Sequence, residues 1–522
     1  MSKINTFPSH SWRELGEYLS ETRLLESVQN ALYWDQNTIM PFSGASWRGK
    51  QLSFLAKFIH QRQSSERYQE LLNNAKNEDE SSNPITHKDS LGTNDRLKNL
   101  ELLEKEYVRR KSIDPDLVAQ IAINKAEGYS LWQEAKAKND FDLFSPALKR
   151  LISLRQEEAN QLSEPRSCWE TLAQPFEPDL SKSRLNELFE PLRKRLPVLI
   201  EKFRDINNNK TKEWDLSIDD QKQLCEKLLN AWGRDINITS TATSPHPFSI
   251  TLGPNDFRIT TRVVKGQPFS CFLATAHEWG HSLYEQGLPF RDPKFFPWPI
   301  GQATSMAVHE SQSLFWENRV ARSLPFSERF WNAFEKAGAP ISSGVDLWRE
   351  LNPISPGLNR VEADELSYGL HIIIRTELEL SLLEEGMSTE DLPTEWDKRY
   401  EELLGVKPPN NSQGCLQDVH WSEGMFGYFP SYLIGHLISA QFSESMEIDL
   451  KRLGIDGLNP IDTCIRESKE EVLVTWLREK VHASGRRMNA EELVREVTGK
   501  NLSCDSFLNY LESKLERLAS VS

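Results

Sequence analysis

Residues 275–281 combine residue types with a spacing that could perform zinc-dependent hydrolysis. The stretch contains His277, Glu278 and His281 in the order HExxH. In a helix, His277 and His281 lie one turn apart on the same face, about 6 Å along the axis, so both imidazoles can bind one metal ion. Glu278 is the next residue round the helix, where it can take a proton from a metal-bound water. This spacing is typical of the zinc-binding helix of metalloproteases.

The surrounding residues predict that this stretch is helical. Pro268 stands where a helix would begin, residues 269–276 are largely apolar, and Gly287 stands where the helix would end, so we predict a helix over residues 267–287. The alternative is a buried amphipathic helix whose histidines bind no metal. A third ligand is needed to decide between the two interpretations.

A catalytic zinc ion needs a third protein ligand and an open position for water. Glu285 lies about 12 Å from His277 along the helix, which is too far to share its ion. The next predicted helix offers Glu310 and Glu317. Glu310 lies in a polar patch, residues 309–313, that follows an apolar run, as expected for a buried ligand surrounded by hydrogen-bonding groups. This pattern favours Glu310 and leaves Glu317 open.

The composition is typical of a soluble globular protein and limits the classes of partner that we expect. A net charge of −15 argues against nucleic acid or an anionic membrane surface as the main partner. Residues 1–12 lack the features of a signal peptide, and no apolar stretch is long enough to cross a bilayer, so we expect a cytoplasmic protein. The six cysteines contain no C-x-x-C pair, so we expect reduced thiols that do not bind the metal.

Apolar residues recur every three or four positions through most of the chain, which predicts a mainly α-helical fold. Predicted helices include residues 304–323 and 360–385, whereas 76–96 indicate a polar surface loop and 169–178 a loop-like connection. Residues 247–252 and 257–263 alternate in twos around a turn, which predicts a β-hairpin just before the metal helix. Its edge strand could pair with an extended peptide substrate, or the hairpin could serve only as a core element.

Five motifs, in a fixed order, give the chain a family resemblance. They are residues 256–260 (DFRIT), 277–281 (HEWGH), 309–312 (HESQ), 360–364 (RVEAD) and 414–421 (GCLQDVHW). Together they resemble the thermostable carboxypeptidase family, also called carboxypeptidase Taq, and weaker matches extend the resemblance over nearly the whole chain. Asn359 departs from the isoleucine that usually precedes the fourth motif, which removes an apolar contact and leaves the chemistry unaffected.

The resemblance implies a mainly helical, zincin-type metallocarboxypeptidase with a deep groove and a small hairpin or sheet beside the metal helix. It implies one catalytic unit over residues 1–522, with about 1–240 lining one side of the groove and about 241–522 carrying the metal site. It further implies peptide substrates, a homodimer, and one divalent ion per chain, zinc first and cobalt or manganese as alternatives. The resemblance implies three roles for individual residues: metal ligands His277, His281 and Glu310; catalytic residues Glu278, His420 and Tyr428; and substrate-binding residues Arg360, Arg258 and Tyr432.

Other interpretations stay open at this point. A zinc oligopeptidase could use the same site to cut internally, and a metal-free peptide-binding protein could retain the fold. Arg360 could simply pair with Asp364 one helical turn away. His420 could be a capped loop histidine and Tyr428 a packing aromatic, while we expect His371, His436 and His482 to be structural.

Overall fold

The computed structural model of the protein describes residues 10–81, 91–204, 206, 214 and 216–521. Helices dominate these residues, so the predicted mainly α-helical fold is confirmed. Two stretches on which predictions were made lie outside this range. They are residues 1–9, searched for a signal peptide, and residues 82–90 of the predicted polar loop. Within the described range, no helix has both the length and the apolar character needed to cross a bilayer.

The helices follow one another along the chain with short connections. They are α1 (His10–Thr38), α2 (Ala45–Gln63), α3 (Glu66–Ser81), α4 (Thr93–Lys111), α5 (Pro115–Lys138), α6 (Ser145–Leu162), α7 (Cys168–Ala173), α8 (Lys182–Phe203), α9 (Ile218–Ala231), α10 (Pro268–Gly287), α11 (Met306–Leu314), α12 (Leu324–Lys336), α13 (Gly344–Leu351), α14 (Tyr368–Leu383), α15 (Leu392–Leu404), α16 (Pro430–Arg452), α17 (Pro460–Arg466), α18 (Glu470–Lys480), α19 (Ala490–Thr498) and α20 (Asp505–Ser520). A π-helix, Phe315–Ala321, continues directly from α11. The predicted metal helix is α10.

A three-stranded sheet precedes the metal helix. Its strands are β1 (Thr239–Thr243), β2 (Ser249–Gly253) and β3 (Asp256–Thr261), in the order β1-β3-β2. The predicted hairpin is confirmed, because β2 and β3 pair antiparallel. Strand β1 was not predicted, and it pairs parallel to β3 with Thr239 opposite Phe257. Its sequence, TSTAT, has no apolar alternation to reveal it.

The core joins the sheet to the metal helix. Phe257 and Ile259 of β3 belong to one buried cluster with Phe272 and Trp279 of α10, and this cluster extends from α5 to α20. A second cluster packs α1, α3 and α4 against the segment between α10 and α11. Ser27 and Asn30 of α1 donate hydrogen bonds to carbonyls of β2, so α1 covers part of that edge strand.

Three local predictions are wrong. Both described ends of the polar loop predicted over 76–96 are helical, since α3 runs to Ser81 and α4 begins at Thr93. The predicted helix 360–385 is a 3-10 turn, Arg360–Glu362, followed by an extended residue and then α14, which begins only at Tyr368. Asp364 causes the break, because its carboxylate accepts hydrogen bonds from the backbone N–H groups of Leu366 and Ser367. The connection predicted over 169–178 begins as α7, which a capping box of Ser167 and Glu170 starts.

Candidate metal centre and active site

The candidate metal ligands come from α10 and α11, and Gly280 sets how closely these helices pack. A Cβ atom at position 280 would lie 2.6 Å from the carbonyl oxygen of Gln312 and 2.6 Å from Cα of Ser313. Both distances are well inside van der Waals contact, so only glycine allows this approach. The close approach brings Glu310 of α11 next to the histidines of α10.

His277, His281 and Glu310 each direct one ligand atom to a common point. Among the described residues these atoms form a group that could hold a metal ion, all within 4.8 Å of one another. Nε2 of His277 is 3.8 Å and Nε2 of His281 is 3.4 Å from the Glu310 carboxylate oxygens. A tetrahedral ion with bonds of about 2.0–2.2 Å separates its ligand atoms by about 3.3–3.5 Å. Two imidazoles and one carboxylate at this spacing therefore fit a zinc-type ion.

The charge around His277 also favours a cation. Burial by itself would lower the pKa of His277, but the carboxylates of Glu310 and Glu317 outweigh it and raise the pKa to about 10. Burial lowers the pKa of His281 to about 4, so that its imidazole is neutral, the form that binds metals. Burial raises the pKa of Glu278 to about 7, with His277 opposing and Glu310 adding to the rise. A positive ion at this point would therefore reduce the repulsion between the buried carboxylates.

Glu317, the other glutamate weighed as a third ligand, contacts the opposite nitrogen of His277. Its Oε2 lies 2.9 Å from Nδ1 of His277, and its Oε1 accepts a 2.9 Å hydrogen bond from Arg322. Glu317 lies in the π-helix, whose wider turn is common at functional sites. The contact to Nδ1 fixes the imidazole plane so that Nε2 faces Glu310.

A second chain of contacts orients His281. Nδ1 of His281 lies 2.6 Å from Nδ1 of His309, and Nε2 of His309 lies 2.9 Å from Glu285. Glu285 also accepts a 3.2 Å hydrogen bond from Thr251 of β2. His309 and Glu285 were not predicted to support the site. The spacing of Glu285 could have revealed its role, because it follows His281 by one helical turn.

Helix α16 closes the site on the far side of Glu310. A Cβ atom at Gly435 would lie 2.9 Å from both Cβ and Cγ of Glu310, so the glycine admits the glutamate side chain. Tyr432 lies one turn earlier on α16, and Tyr428 just precedes the helix. Nε2 of His420 lies 3.3 Å from the hydroxyl of Tyr432, and the rings of His420 and Tyr428 are 5.5 Å apart. The structure thus brings these three predicted residues together.

The protonation of this aromatic cluster follows from its burial. Burial raises the pKa of Tyr428 to about 12, and the negative charge of Glu310 adds to the rise. Burial also raises the pKa of Tyr432 well above its ordinary value. Burial lowers the pKa of His420 to about 3, although the neighbouring Asp418 opposes the change. Both phenols keep their protons at neutral pH, and the imidazole is uncharged.

Arg360 joins the same cluster and does not pair with Asp364. Its Nε and Nη2 donate to one oxygen of Asp418 at 2.9 and 2.8 Å, and its guanidinium lies 5.0 Å from the Tyr432 ring centre. Arg375 donates to the other oxygen of Asp418 at 2.6 Å. The suggested pairing with Asp364 fails because that carboxylate is bonded to the backbone ahead of α14.

Arg258, on β3, has partners other than those of Arg360. Its Nε and Nη2 donate to the two oxygens of Asp256 at 2.8 and 2.7 Å, and its guanidinium lies over the ring of Trp34 at 5.6 Å. The side chain keeps 28% of its surface exposed. Arg258 is therefore a fixed, partly accessible cation.

Glu379 of α14 holds the segment that carries His420 and Tyr428, and sequence reasoning missed it. Its carboxylate accepts hydrogen bonds from Nε1 of Trp421 at 2.9 Å and from the backbone N–H of Gly427 at 2.9 Å. Nε1 of Trp169 donates to it at 3.2 Å. Nothing local in the sequence marks this residue, because its partners lie on two distant segments.

Comparisons with known proteins show the family to which the chain belongs. The family model described as "Carboxypeptidase Taq (M32) metallopeptidase" matches residues 14–515. The chain is 34% identical to thermostable carboxypeptidase 1 of Thermus thermophilus, over 98% of this chain and 99% of the relative. It is 32% identical to carboxypeptidase 1 of Bacillus subtilis, over 93% and 94%. The crystal structure of an M32 carboxypeptidase from Deinococcus radiodurans R1 superposes with a TM-score of 0.89 at 30% identity, covering 98% and 99% of the two chains.

Proposed function

The chain belongs to the carboxypeptidase Taq (M32) family of metallopeptidases and is thus a metal-dependent carboxypeptidase acting on peptides, and we propose that it releases single amino acids from peptide C-termini with Glu278 as general base. The observation that carries the proposal is the grouping of His277, His281 and Glu310 within 4.8 Å. Glu278 is buried next to them on α10.

Glu278 moves the proton in this proposal. A zinc ion held by His277, His281 and Glu310 would lower the pKa of a coordinated water to about 7 and polarise the scissile carbonyl. Glu278 would take a proton from the attacking water and pass it to the leaving amine. Its burial supports this role, because burial raises its pKa to about 7 and so favours both accepting and releasing a proton near neutral pH.

His420 and Tyr428 would stabilise the negative charge that develops on the carbonyl oxygen. Burial raises the pKa of Tyr428 to about 12, so its hydroxyl remains a hydrogen-bond donor throughout the working range. The neutral imidazole of His420 donates from one nitrogen. Donors of this kind contribute about 3 kcal/mol each to the transition state in comparable sites.

Arg360, Arg258 and Tyr432 would receive the substrate's terminal carboxylate. A guanidinium binds a carboxylate through two parallel hydrogen bonds, which restricts cleavage to chain ends. Arg360 is supported by its contact with Tyr432 in the cluster that contains His420. Arg258 is supported by its fixed orientation against Asp256 and its partial exposure.

The alternative of an internally cutting oligopeptidase is tested with one peptide in two forms. The purified protein is incubated with a free-acid peptide and with its C-terminal amide, each with and without a chelator, and products are followed by mass spectrometry. We expect stepwise loss of single residues from the free acid, abolished by the chelator, and at most a slow reaction of the amide. Equal cleavage of both peptides would refute the carboxypeptidase proposal in favour of the oligopeptidase. Absence of cleavage after zinc or cobalt is restored would favour the peptide-binding alternative.

The carboxylate-binding role is tested by combining these substrates with Arg360→Lys and Arg258→Lys. Lysine keeps the charge and loses the paired hydrogen bonds. A variant at the carboxylate-binding position should lose kcat/KM for the free acid while its slow rate on the amide stays unchanged. Arg452→Lys is the matched control, because that side chain is 74% exposed on α16. Equal losses on both peptides would assign the arginine to support of the fold.

The identity of the metal and the assembly state are also proposals. We propose zinc before cobalt or manganese, because two imidazoles and one carboxylate with an open position are typical of catalytic zinc. Metal analysis of protein purified without added metal tests this.

We propose a cytoplasmic homodimer, with residues 1–522 forming one catalytic unit and its two parts, about 1–240 and 241–522, lining a groove. The resemblance supports the dimer, which sedimentation analysis tests, and the continuous buried cluster from α5 to α20 supports the single unit.

A further inference from the structure

A cavity lies behind the metal helix, on the side away from Glu310. It has a volume of about 370 Å³ and lies among α9, β1, β3 and the middle of α10. Lys222, Cys225 and Glu226 of α9 contribute to its lining, together with Thr261 and Thr275. The cavity is large enough to admit several waters or a small polar molecule.

Cys225 lines this cavity, and the thiol of the fully buried Cys271 lies directly behind it. Sγ of Cys225 on α9 lies 3.1 Å from Sγ of Cys271 on α10, and neither thiol is in a disulfide. A disulfide has a sulfur–sulfur distance of about 2.05 Å, so the two atoms need to approach by only about 1 Å. The hydroxyls of Thr261 and Thr275 donate to the carbonyl of Cys271 at 2.9 Å each, which ties this turn of α10 to the cavity wall.

The surroundings favour reactivity in one of the two thiols. The hydrogen bond from the Cys225 thiol lowers the pKa of Cys271, and the positive charge of Lys222 contributes in the same direction. The same hydrogen bond raises the pKa of Cys225. Two adjacent thiols, one of them with a lowered pKa, form the arrangement in which oxidation proceeds to a disulfide. The remaining cysteines, all within the described ranges, have no thiol–thiol hydrogen bond of this kind.

We propose that Cys225 and Cys271 form an oxidation site, that a small hydroperoxide reaches it through the cavity, and that oxidation joins α9 to the metal helix by a disulfide. In the first step one thiol sulfur attacks the peroxide oxygen, the O–O bond breaks, and a sulfenic acid and an alcohol or water result. In the second step the other thiol attacks the sulfenic sulfur, and water leaves as the disulfide forms. Two thiols are oxidised and one peroxide is reduced. The site is independent of the peptidase chemistry proposed above.

The cross-link would act on the helix that carries the proposed metal ligands. Cys271 precedes His277 by six residues, about 9 Å along the axis of the same helix. A disulfide here would fix the N-terminal half of α10 to α9 by a covalent bond. The bond would lie on the face of α10 that packs against α9 and the sheet, and it would not touch the proposed ligands.

The test uses the full-length, metal-loaded protein and hydrogen peroxide as the probe. After treatment the remaining thiols are alkylated under denaturing conditions and the protein is analysed by intact mass and peptide mapping. We expect two fewer alkyl labels than in the untreated protein, a cross-linked peptide pair containing Cys225 and Cys271, and reversal by dithiothreitol. Cys225→Ser and Cys271→Ser should abolish the cross-link, whereas Cys415→Ser, which removes a different buried cysteine, should retain it.

A second variant tests the route of access. Ala242 of β1 lines the cavity, and Ala242→Phe would place a ring in it. We expect this variant to form the same disulfide several-fold more slowly, with the rate for bulky hydroperoxides falling most. The proposal is overturned if Cys225 and Cys271 remain fully alkylated at peroxide concentrations that oxidise the half-buried Cys168. It is also overturned if oxidation of the wild-type protein adds oxygen to these cysteines without joining them.

Discussion

Replacing Gly280 by alanine is expected to weaken metal binding while the protein still folds. The new Cβ atom would lie 2.6 Å from two backbone atoms of α11, whereas carbon needs about 3.5 Å, so the two helices must separate by roughly 0.9 Å. Metal–ligand distances tolerate about 0.2 Å. This separation moves Glu310 together with α11, while His277 and His281 stay in place on α10. We therefore expect zinc affinity to fall about 10–100-fold, the range seen when support for metal ligands is lost.

The assay is an equilibrium competition for zinc between the protein and a chelator of known affinity. Thermal or denaturant unfolding of the metal-free protein is measured in parallel, and overpacking of this kind costs about 1–3 kcal/mol. Gly49→Ala is the matched control, because Gly49 also lies within a helix and a Cβ there meets nothing within 4 Å. Unchanged zinc affinity in Gly280→Ala, together with a loss of stability, would refute the argument that this close packing sets the ligand geometry.

Three further outcomes test other parts of the site. Glu317→Gln removes the charge beside Nδ1 of His277 and should lower zinc affinity about 10–100-fold in the same competition assay, and an unchanged affinity would contradict the orienting role. Tyr428→Phe should lower kcat about 10²–10³-fold with little change in KM, and a rise in KM at constant kcat would point to ground-state binding instead. Burial raises the pKa of Glu278 to about 7, and a nearby cation would lower it again. As the pH drops through a midpoint at or below 7 the base gains its proton, so kcat/KM should fall. A profile that is flat from about pH 8 to 5 would exclude Glu278 as the base.

The sequence predicted the parts of the site whose geometry is local. His277 and His281 are placed by the 3.6-residue period of a single helix, and Pro268 and Gly287 mark its ends as predicted. The hairpin β2–β3 followed from alternation in twos. In each case the deciding interactions lie within about one or two turns of chain, where spacing alone determines which side chains are neighbours.

The parts that could not be predicted depend on contacts between distant segments. Strand β1 is held by parallel pairing with β3, and its polar sequence shows no periodicity. Glu317 faces Nδ1 of His277 from a π-helix, so counting residues at the ordinary helical period does not give its direction. Arg360 pairs with Asp418, 58 residues away, in preference to the closer Asp364. In a buried site the partner of a charged group is chosen by three-dimensional packing, which local spacing does not encode.

The close crossing of α10 and α11 also bears on the order in which the protein assembles. The three proposed ligands lie within residues 277–310, whereas the aromatic donors follow at 420 and 428. Contacts between segments near in sequence have a smaller loop-closure cost and form earlier. We expect a metal ion to be able to join α10 to α11 during synthesis, before α16 has left the ribosome. The ion would then act as a template against which the C-terminal helices dock, so that chain maturation and metal supply become coupled.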